Sequence, residues 1–120
     1  MIKLDLQSRL PIYEQLKTKI SELILLEELH PNDQLPSVRS FARDLGINPN
    51  TVQKAYQELE REGIVYSVAG RGSYISPNMD LTAQLQLQQL QKVEQVIRQA
   101  RANAVPEEKI LEAVRAVYKE

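Results

Sequence analysis

The chain has 120 residues, 42% of them hydrophobic and 26% charged, a balance that predicts one folded domain, or one small domain with an appendage. With no cysteine, a single histidine (His30) and no apolar run longer than four residues, it is expected to lack disulfides, metals, other cofactors, a signal peptide and a membrane span, and to be cytoplasmic. The net charge of −1 argues mildly against nucleic-acid binding, but residues 34–57 have a local charge of +2. The charges in that stretch are Arg39, Arg43, Asp44 and Lys54.

The first predicted element is an amphipathic helix between Pro11 and Leu29. Its apolar residues recur at spacings of three and four, which places them on one face of a helix. These residues are Ile12, Leu16, Ile20, Leu23 and Ile24. The segment 31–33 (Pro-Asn-Asp) then breaks the helix.

Two further helices follow, with a short turn between them. Ser37 is a favoured N-cap for the second helix, and Gly46 ends it because glycine readily adopts the left-handed conformation. Asn48 is a good N-cap for the third helix, Pro49 fits its first position, and Gly63 closes it. The side chains predicted to face the core are Val38, Phe41, Ala42 and Leu45 from the second helix, and Val52, Ala55, Tyr56 and Leu59 from the third.

After Gly63 the pattern changes from helical to extended. Residues 64–68 and 73–75 predict a β-hairpin with the tip Ala-Gly-Arg-Gly at 69–72. Pro77 marks a boundary, beyond which the composition predicts a helical tail. The expected fold is therefore mostly α with a small β-hairpin.

A short helix, a three-residue turn beginning at Gly46 and another helix form the spacing typical of a DNA-reading helix-turn-helix. Asparagine and glutamine can bind adenine edges, threonine and lysine can contact phosphates, and a glycine-flanked arginine at a hairpin tip can approach the minor groove. The residues predicted to contact DNA are Arg39, Asn48, Pro49, Asn50, Thr51, Gln53, Lys54, Gly70, Arg71 and Gly72. Taken singly, each could be a helix cap, a solvated face or a tight turn, but their succession favours DNA binding.

At these residues the sequence resembles the GntR family of bacterial transcription regulators, and more closely its short YtrA-like members. The resemblance covers nearly the whole chain and rests on segments 11–15 (PIYEQ), 35–39 (LPSVR), 48–56 (NPNTVQKAY), 59–63 (LEREG) and 70–75 (GRGSYI). One departure is the pair Ser73 and Tyr74, where many members have threonine and phenylalanine.

The resemblance implies a winged helix-turn-helix in residues 1–76 and a two-helix dimerisation tail in residues 77–120. It implies DNA contacts at Arg39, at 48–54 and at the wing around 70–72. It also implies a repressor without a large effector domain, often of an operon that contains a membrane transporter.

The tail itself predicts two amphipathic helices separated by a break at Val105 and Pro106. Leu90, Val93, Ile97, Ala100 and Ala104 repeat before the break, and Ile110, Leu111, Val114, Val117 and Tyr118 after it. A segment of this length needs a covering partner, and a palindromic operator needs two recognition helices, so a homodimer is the preferred interpretation. The alternatives are that both stripes pack on the first helix, or that the glutamine-rich part is a frayed linker.

The sequence contains no phosphate-binding glycine loop and no nucleophile motif, so an enzyme is not expected. We predict a homodimeric regulator that binds double-stranded palindromic DNA. The alternative is a winged helix that binds a protein partner without sequence-specific DNA binding. Nothing in the sequence identifies a small-molecule effector.

Overall fold

The computed structural model describes residues 2–120 and divides into two compact units, the first ending at Thr82 and the second running from Ala83 to Glu120. Over this range the elements are α1 (Ile12–Leu25), α2 (Val38–Leu45), α3 (Pro49–Arg61), β1 (Val65–Val68), β2 (Gly72–Ile75), α4 (Leu81–Ala102) and α5 (Glu107–Tyr118). The predicted class, mostly α with a small β-hairpin, is confirmed. The predicted functional boundary at residue 77 stays a prediction.

Helix α1 ends at Leu25, four residues before the predicted end at Leu29. Beyond it the chain turns back on itself, because Glu27 has a φ of 59° and the backbone N–H of Leu29 donates to the carbonyl of Leu23. The apolar stripe that predicted the helix stops at Ile24, which is its last buried residue. The predicted end at Leu29 was wrong because the helix was extended past the last apolar residue of the stripe, Ile24, toward the break at Pro31.

The core of the first unit is formed by the inward faces of α1 and α3 and by the hairpin. The apolar periodicity predicted most of these positions, because one side of each helix must be removed from water. The buried side chains include Leu16, Ile20, Val52, Ala55, Leu59, Ile64 and Ile75. Ala42 is buried on α2, which packs against α3.

The wing is the two-stranded sheet of β1 and β2, and a further segment that the sequence did not predict pairs with β2. β1 and β2 pair antiparallel, with Val65 opposite Ile75 and Val68 opposite Gly72. On the other side of β2, the segment 32–35 forms a short antiparallel pairing, in which Gln34 lies opposite Tyr74. Its N–H groups donate to β2 carbonyls, 2.8 Å from Asn32 to Ile75 and 2.9 Å from Leu35 to Ser73.

The second unit consists of most of α4 together with α5. The glutamine-rich stretch lies within α4, a continuous helix of 22 residues, so it is not a frayed linker in the structure. The apolar pattern predicts Ala104 in the first stripe, but the residue lies beyond the end of α4 with a φ of 62°. Pro106 precedes the first residue of α5, which confirms the predicted break.

Candidate nucleic-acid interface

Local capping interactions set the ends of α2 and α3. The Ser37 hydroxyl accepts a hydrogen bond from the N–H of Ser40, and Asn48 Oδ1 accepts one from the N–H of Asn50, at 3.1 and 2.8 Å. Gly46 has a φ of 69°, the left-handed conformation in which glycine lacks the steric penalty of other residues. Pro49 occupies the first position of α3, so its missing N–H leaves no intrahelical bond unmade. These caps fix a turn of only three residues between the helices.

Tyr56 ties α3 to the segment that leads into α2. Its hydroxyl donates to the carbonyl of Pro36 at 2.8 Å, and its ring lies 6.3 Å, centroid to centroid, from that of Phe41. Burial raises the pKa of the Tyr56 hydroxyl well above its ordinary value, so the group remains a donor at physiological pH. Together with the buried Val52 and Ala55, this contact holds the inward face of α3 against its supporting helix.

The opposite face of α3 presents polar side chains to solvent. Asn50, Gln53 and Lys54 are exposed and Thr51 is half-buried, which leaves their hydrogen-bonding groups available to a ligand. Asn48 differs, because its Oδ1 already accepts the capping hydrogen bond, which leaves one lone pair and the amide NH₂ for other partners. A bidentate contact from Asn48 to adenine would therefore use the second lone pair of Oδ1 beside the capping bond.

Four basic side chains on α2, α3 and the wing lack carboxylate partners. Among residues 2–120, no carboxylate lies at ion-pair distance from Arg39, Arg43, Lys54 or Arg71. All four side chains are exposed. Their charge is therefore not neutralised by a direct ion pair, although Glu58 attracts Lys54 at longer range, and it can act on an anionic ligand.

The wing tip is narrower than predicted, because Gly72 belongs to β2 and the turn consists of residues 69–71. The N–H of Arg71 donates to the carbonyl of Val68 at 2.9 Å, and Gln34 Nε2 donates to the carbonyl of Arg71 at 2.8 Å. A Cβ at Gly72, where φ is 123°, would lie 3.0 Å from the same Gln34 nitrogen. The Gln34 side chain therefore holds the backbone of the wing tip by a hydrogen bond to Arg71, and it occupies space beside Gly72 that a side chain at that position would need.

A shallow depression lies beside the start of α3. It has a volume of about 450 Å³ and is lined by Pro11, Ile12, Tyr13, Asn50, Thr51 and Lys54. The Lys54 ammonium lies 4.0 Å from the centroid of the Tyr13 ring. Asn50, Thr51 and Lys54 are among the residues predicted to contact DNA, whereas Tyr13 is not. It lies on another helix, and no local pattern in the sequence relates it to α3.

An ion-pair network joins α1 to the other end of α3. Lys17 Nζ lies 3.1 Å from Glu58 Oε2 and 2.9 Å from Glu62 Oε1. Burial by itself lowers the pKa of Lys17, but its hydrogen bonds to the two carboxylates outweigh burial and raise it. The hydrogen bond from Lys17 holds the pKa of Glu58 below its ordinary value. These acids are engaged with Lys17, away from the capped end of α3.

The predicted dimerisation residues lie on the two helices of the tail. Leu90, Val93 and Ile97 are exposed on α4 within the single chain, and Ile110 on α5 is half-buried. Leu111, Val114, Val117 and Tyr118 are exposed on α5. Such a concentration of exposed apolar side chains is typical of a surface that another protein covers.

Other kinds of site find little support in the described part of the chain. Residues 2–120 contain no group of three or more histidine, cysteine, aspartate or glutamate side chains that could hold a metal ion. In the same range, none of the helices combines the length and the apolar character needed to cross a membrane.

The chain is similar to known regulators. A family model described as "Bacterial regulatory proteins, gntR family" matches residues 12–75. The transcriptional repressor YtrA of Bacillus subtilis is 52% identical over 82 residues, which are 68% of this chain and 63% of that protein. The uncharacterised regulator YhcF of the same organism is 36% identical over 110 residues, 91% of each chain.

Solved structures of regulators share the fold. A GntR family regulator from Listeria monocytogenes has a TM-score of 0.78 and 32% identity, covering 94% of this chain and 98% of that one. The AraR DNA-binding domain, solved in complex with operator ORE1, has a TM-score of 0.54 and 29% identity, over 63% of this chain and 93% of that one. These relatives are transcription regulators rather than enzymes, in agreement with the expected class. The chain therefore belongs to the GntR family of bacterial regulatory proteins, with the family's DNA-binding winged helix-turn-helix in residues 12–75.

Proposed function

We propose that this protein is a cytoplasmic repressor that binds a palindromic operator as a homodimer. The observation that carries the proposal is the set of four exposed, unpaired basic side chains on the elements that surround the polar face of α3. Unpaired cations on a solvent-facing surface can neutralise phosphates without first breaking internal ion pairs. The carboxylates of Glu58 and Glu62 form ion pairs with Lys17, and Glu58 attracts Lys54 only beyond ion-pair distance.

In this proposal the start of α3 enters the major groove. Asn50 and Gln53 read base edges, Thr51 contacts a phosphate or a thymine methyl group, and Lys54 neutralises a phosphate. Asn48 and Pro49 contribute the capped backbone at the helix start, where N–H groups point toward anions.

Arg39 and Arg71 act from separate elements. Arg39, near the start of α2, anchors the DNA backbone or reaches a guanine. Arg71 reaches a minor groove or a phosphate from the wing tip, where Gly70 and Gly72 allow a close approach.

The tail joins two copies of the chain, and the second copy contacts the other half of the operator. When the exposed apolar stripes of α4 and α5 meet those of a second copy, the dimer presents two recognition helices, and half-sites on DNA are about 34–36 Å apart. Bound in this way, the dimer prevents transcription of the adjacent genes. The proposed target of repression is an operon that encodes a membrane transporter. No small-molecule effector is assigned.

The proposal is tested by selecting bound duplexes from a random library and measuring the mass of the complex at moderate salt. A palindromic site occupied by two chains is the expected result. No enrichment, together with binding to a protein partner that is insensitive to salt, would instead assign the winged helix to protein recognition.

Arg39→Ala is the point test of the interface. It should weaken binding to the selected duplex by about 1–3 kcal/mol if Arg39 contacts a base, measured by fluorescence anisotropy. Arg115→Ala is the matched control, because Arg115 is exposed on α5, off the apolar stripe, and pairs with Glu108. Equal affinity of the Arg39 variant and the wild type would remove Arg39 from the interface.

A further inference from the structure

Tyr13 lies in the first turn of α1, outside the elements assigned to DNA contact. Its half-buried ring lies beneath the ammonium of Lys54, 4.0 Å from centroid to Nζ, at the edge of the depression beside α3. This is within the distance at which the negative face of an aromatic ring attracts a cation. No carboxylate among residues 2–120 lies at ion-pair distance from Lys54. Glu58, one turn along α3, attracts the Lys54 charge at longer range, and the Tyr13 ring is the group in direct contact with the ammonium.

The contact determines where the Lys54 charge lies. A free lysine side chain samples many rotamers, and holding it in one geometry on binding has an entropic cost. The Tyr13 ring draws the ammonium to the flank of α3 that faces α1, rather than straight outward from the helix. Phosphates line the walls of the major groove and base edges line its floor, so a flank position suits a phosphate contact.

We propose that Tyr13 is a positioning residue that holds the Lys54 ammonium for contact with a backbone phosphate of the operator. This inference rests on the proposed DNA-binding function. An ammonium has three donors on one nitrogen, so its side facing away from the ring remains available to phosphate oxygens. Lys54 then contributes to affinity for all sequences and not to discrimination among them.

The experiment is a double-mutant cycle on the selected duplex with Tyr13→Leu, Lys54→Met and the double variant, and with Tyr13→Phe as the matched control. Tyr13→Leu should weaken binding about two- to fivefold, the range expected for an exposed cation–π contact. Tyr13→Phe keeps the ring and should bind within about twofold of the wild type. In the Lys54→Met background, Tyr13→Leu should have no further effect, because the group that it positions is absent.

The salt dependence identifies what Lys54 contacts. Lys54→Met should reduce the slope of log affinity against log salt concentration by about 0.9, the value for one phosphate contact. It should weaken binding to the selected duplex and to an unrelated duplex by the same factor. A larger loss on the selected duplex would overturn the phosphate assignment in favour of a base contact.

Two results would overturn the role of Tyr13. If Tyr13→Leu weakens binding equally in both backgrounds, the residue acts through packing and not through Lys54. If Tyr13→Phe binds as weakly as Tyr13→Leu, the hydroxyl and not the ring is responsible.

The contact is also measurable without DNA. In the free protein, the ε-methylene protons of Lys54 should resonate upfield of their position in the Tyr13→Leu variant, because the Nζ bonded to that carbon lies over the ring. Absence of this shift would overturn the proposal. Its presence in a protein that enriches no duplex would locate the failure in the proposed function, since the contact itself would be intact.

Discussion

At the scale of single residues, Gly46 shows a purely conformational requirement. Its φ is 69°, and a Cβ added there would meet no atom within 4 Å. Gly46→Ala should therefore lower the free energy of unfolding by about 1–2 kcal/mol, the cost of the left-handed conformation for a residue with a side chain. Urea denaturation of the two proteins measures the difference.

Gly46→Asn is the control, because asparagine tolerates the left-handed conformation better than alanine does. It should be destabilised less than Gly46→Ala. Equal losses in the two variants would contradict a conformational origin, since the open space around Gly46 leaves no steric difference to explain them.

At the scale of elements, the packing of α1 on α3 should depend on pH through Glu58. The hydrogen bond from Lys17 lowers the pKa of Glu58 in the folded state. The stabilising effect is therefore complete above the unfolded pKa, at about 4–5, and is lost as the pH falls through the lower folded value. Glu58→Gln should melt below the wild type at neutral pH, and the difference should shrink as the pH falls below the ordinary pKa of a glutamate.

Glu60→Gln is the matched control for this prediction. Glu60 is exposed on α3 two residues away, and no ion pair involving it occurs within residues 2–120. Its melting temperature should follow that of the wild type across the pH range. A Glu58→Gln difference that persists undiminished in acid would show that the effect does not come from the charge.

At the scale of the whole molecule, the exposed apolar stripes of the tail predict that the oligomeric state depends on them. Ile97→Asp on α4, or Val114→Asp on α5, should weaken self-association at least about a hundredfold. Each dimer would lose two buried side chains worth about 1.5–3 kcal/mol apiece. Sedimentation equilibrium across a range of concentrations measures the change.

Gln95→Asp provides the matched control for the tail, because it adds the same charge to α4 at an exposed position off the predicted stripe. It should associate like the wild type. If Ile97→Asp and Val114→Asp also associate like the wild type, the proposed dimer surface is wrong.

The sequence by itself determined the features that arise between near neighbours. The caps at Ser37 and Asn48, the end of α2 at Gly46 and the break before α5 depend on interactions within a few residues of each other. The buried face of α3 followed from helical periodicity for the same reason. On α2 the same periodicity predicted the buried Ala42, whereas Val38, Phe41 and Leu45 are only half-buried. Where the pattern weakened, after Ile24, the predicted end of α1 was four residues too late.

The tertiary structure alone decided the contacts between residues far apart in the chain. Gln34 braces Arg71 across 37 positions, Lys17 reaches Glu58 across 41, and the ring of Tyr13 on α1 lies beneath Lys54 on α3. None of these pairs leaves a periodic or local signal, because each depends on how the helices and the wing pack together. The elements and the DNA-contacting candidates could thus be predicted from the sequence, whereas the groups that hold two of those candidates in place required the folded chain.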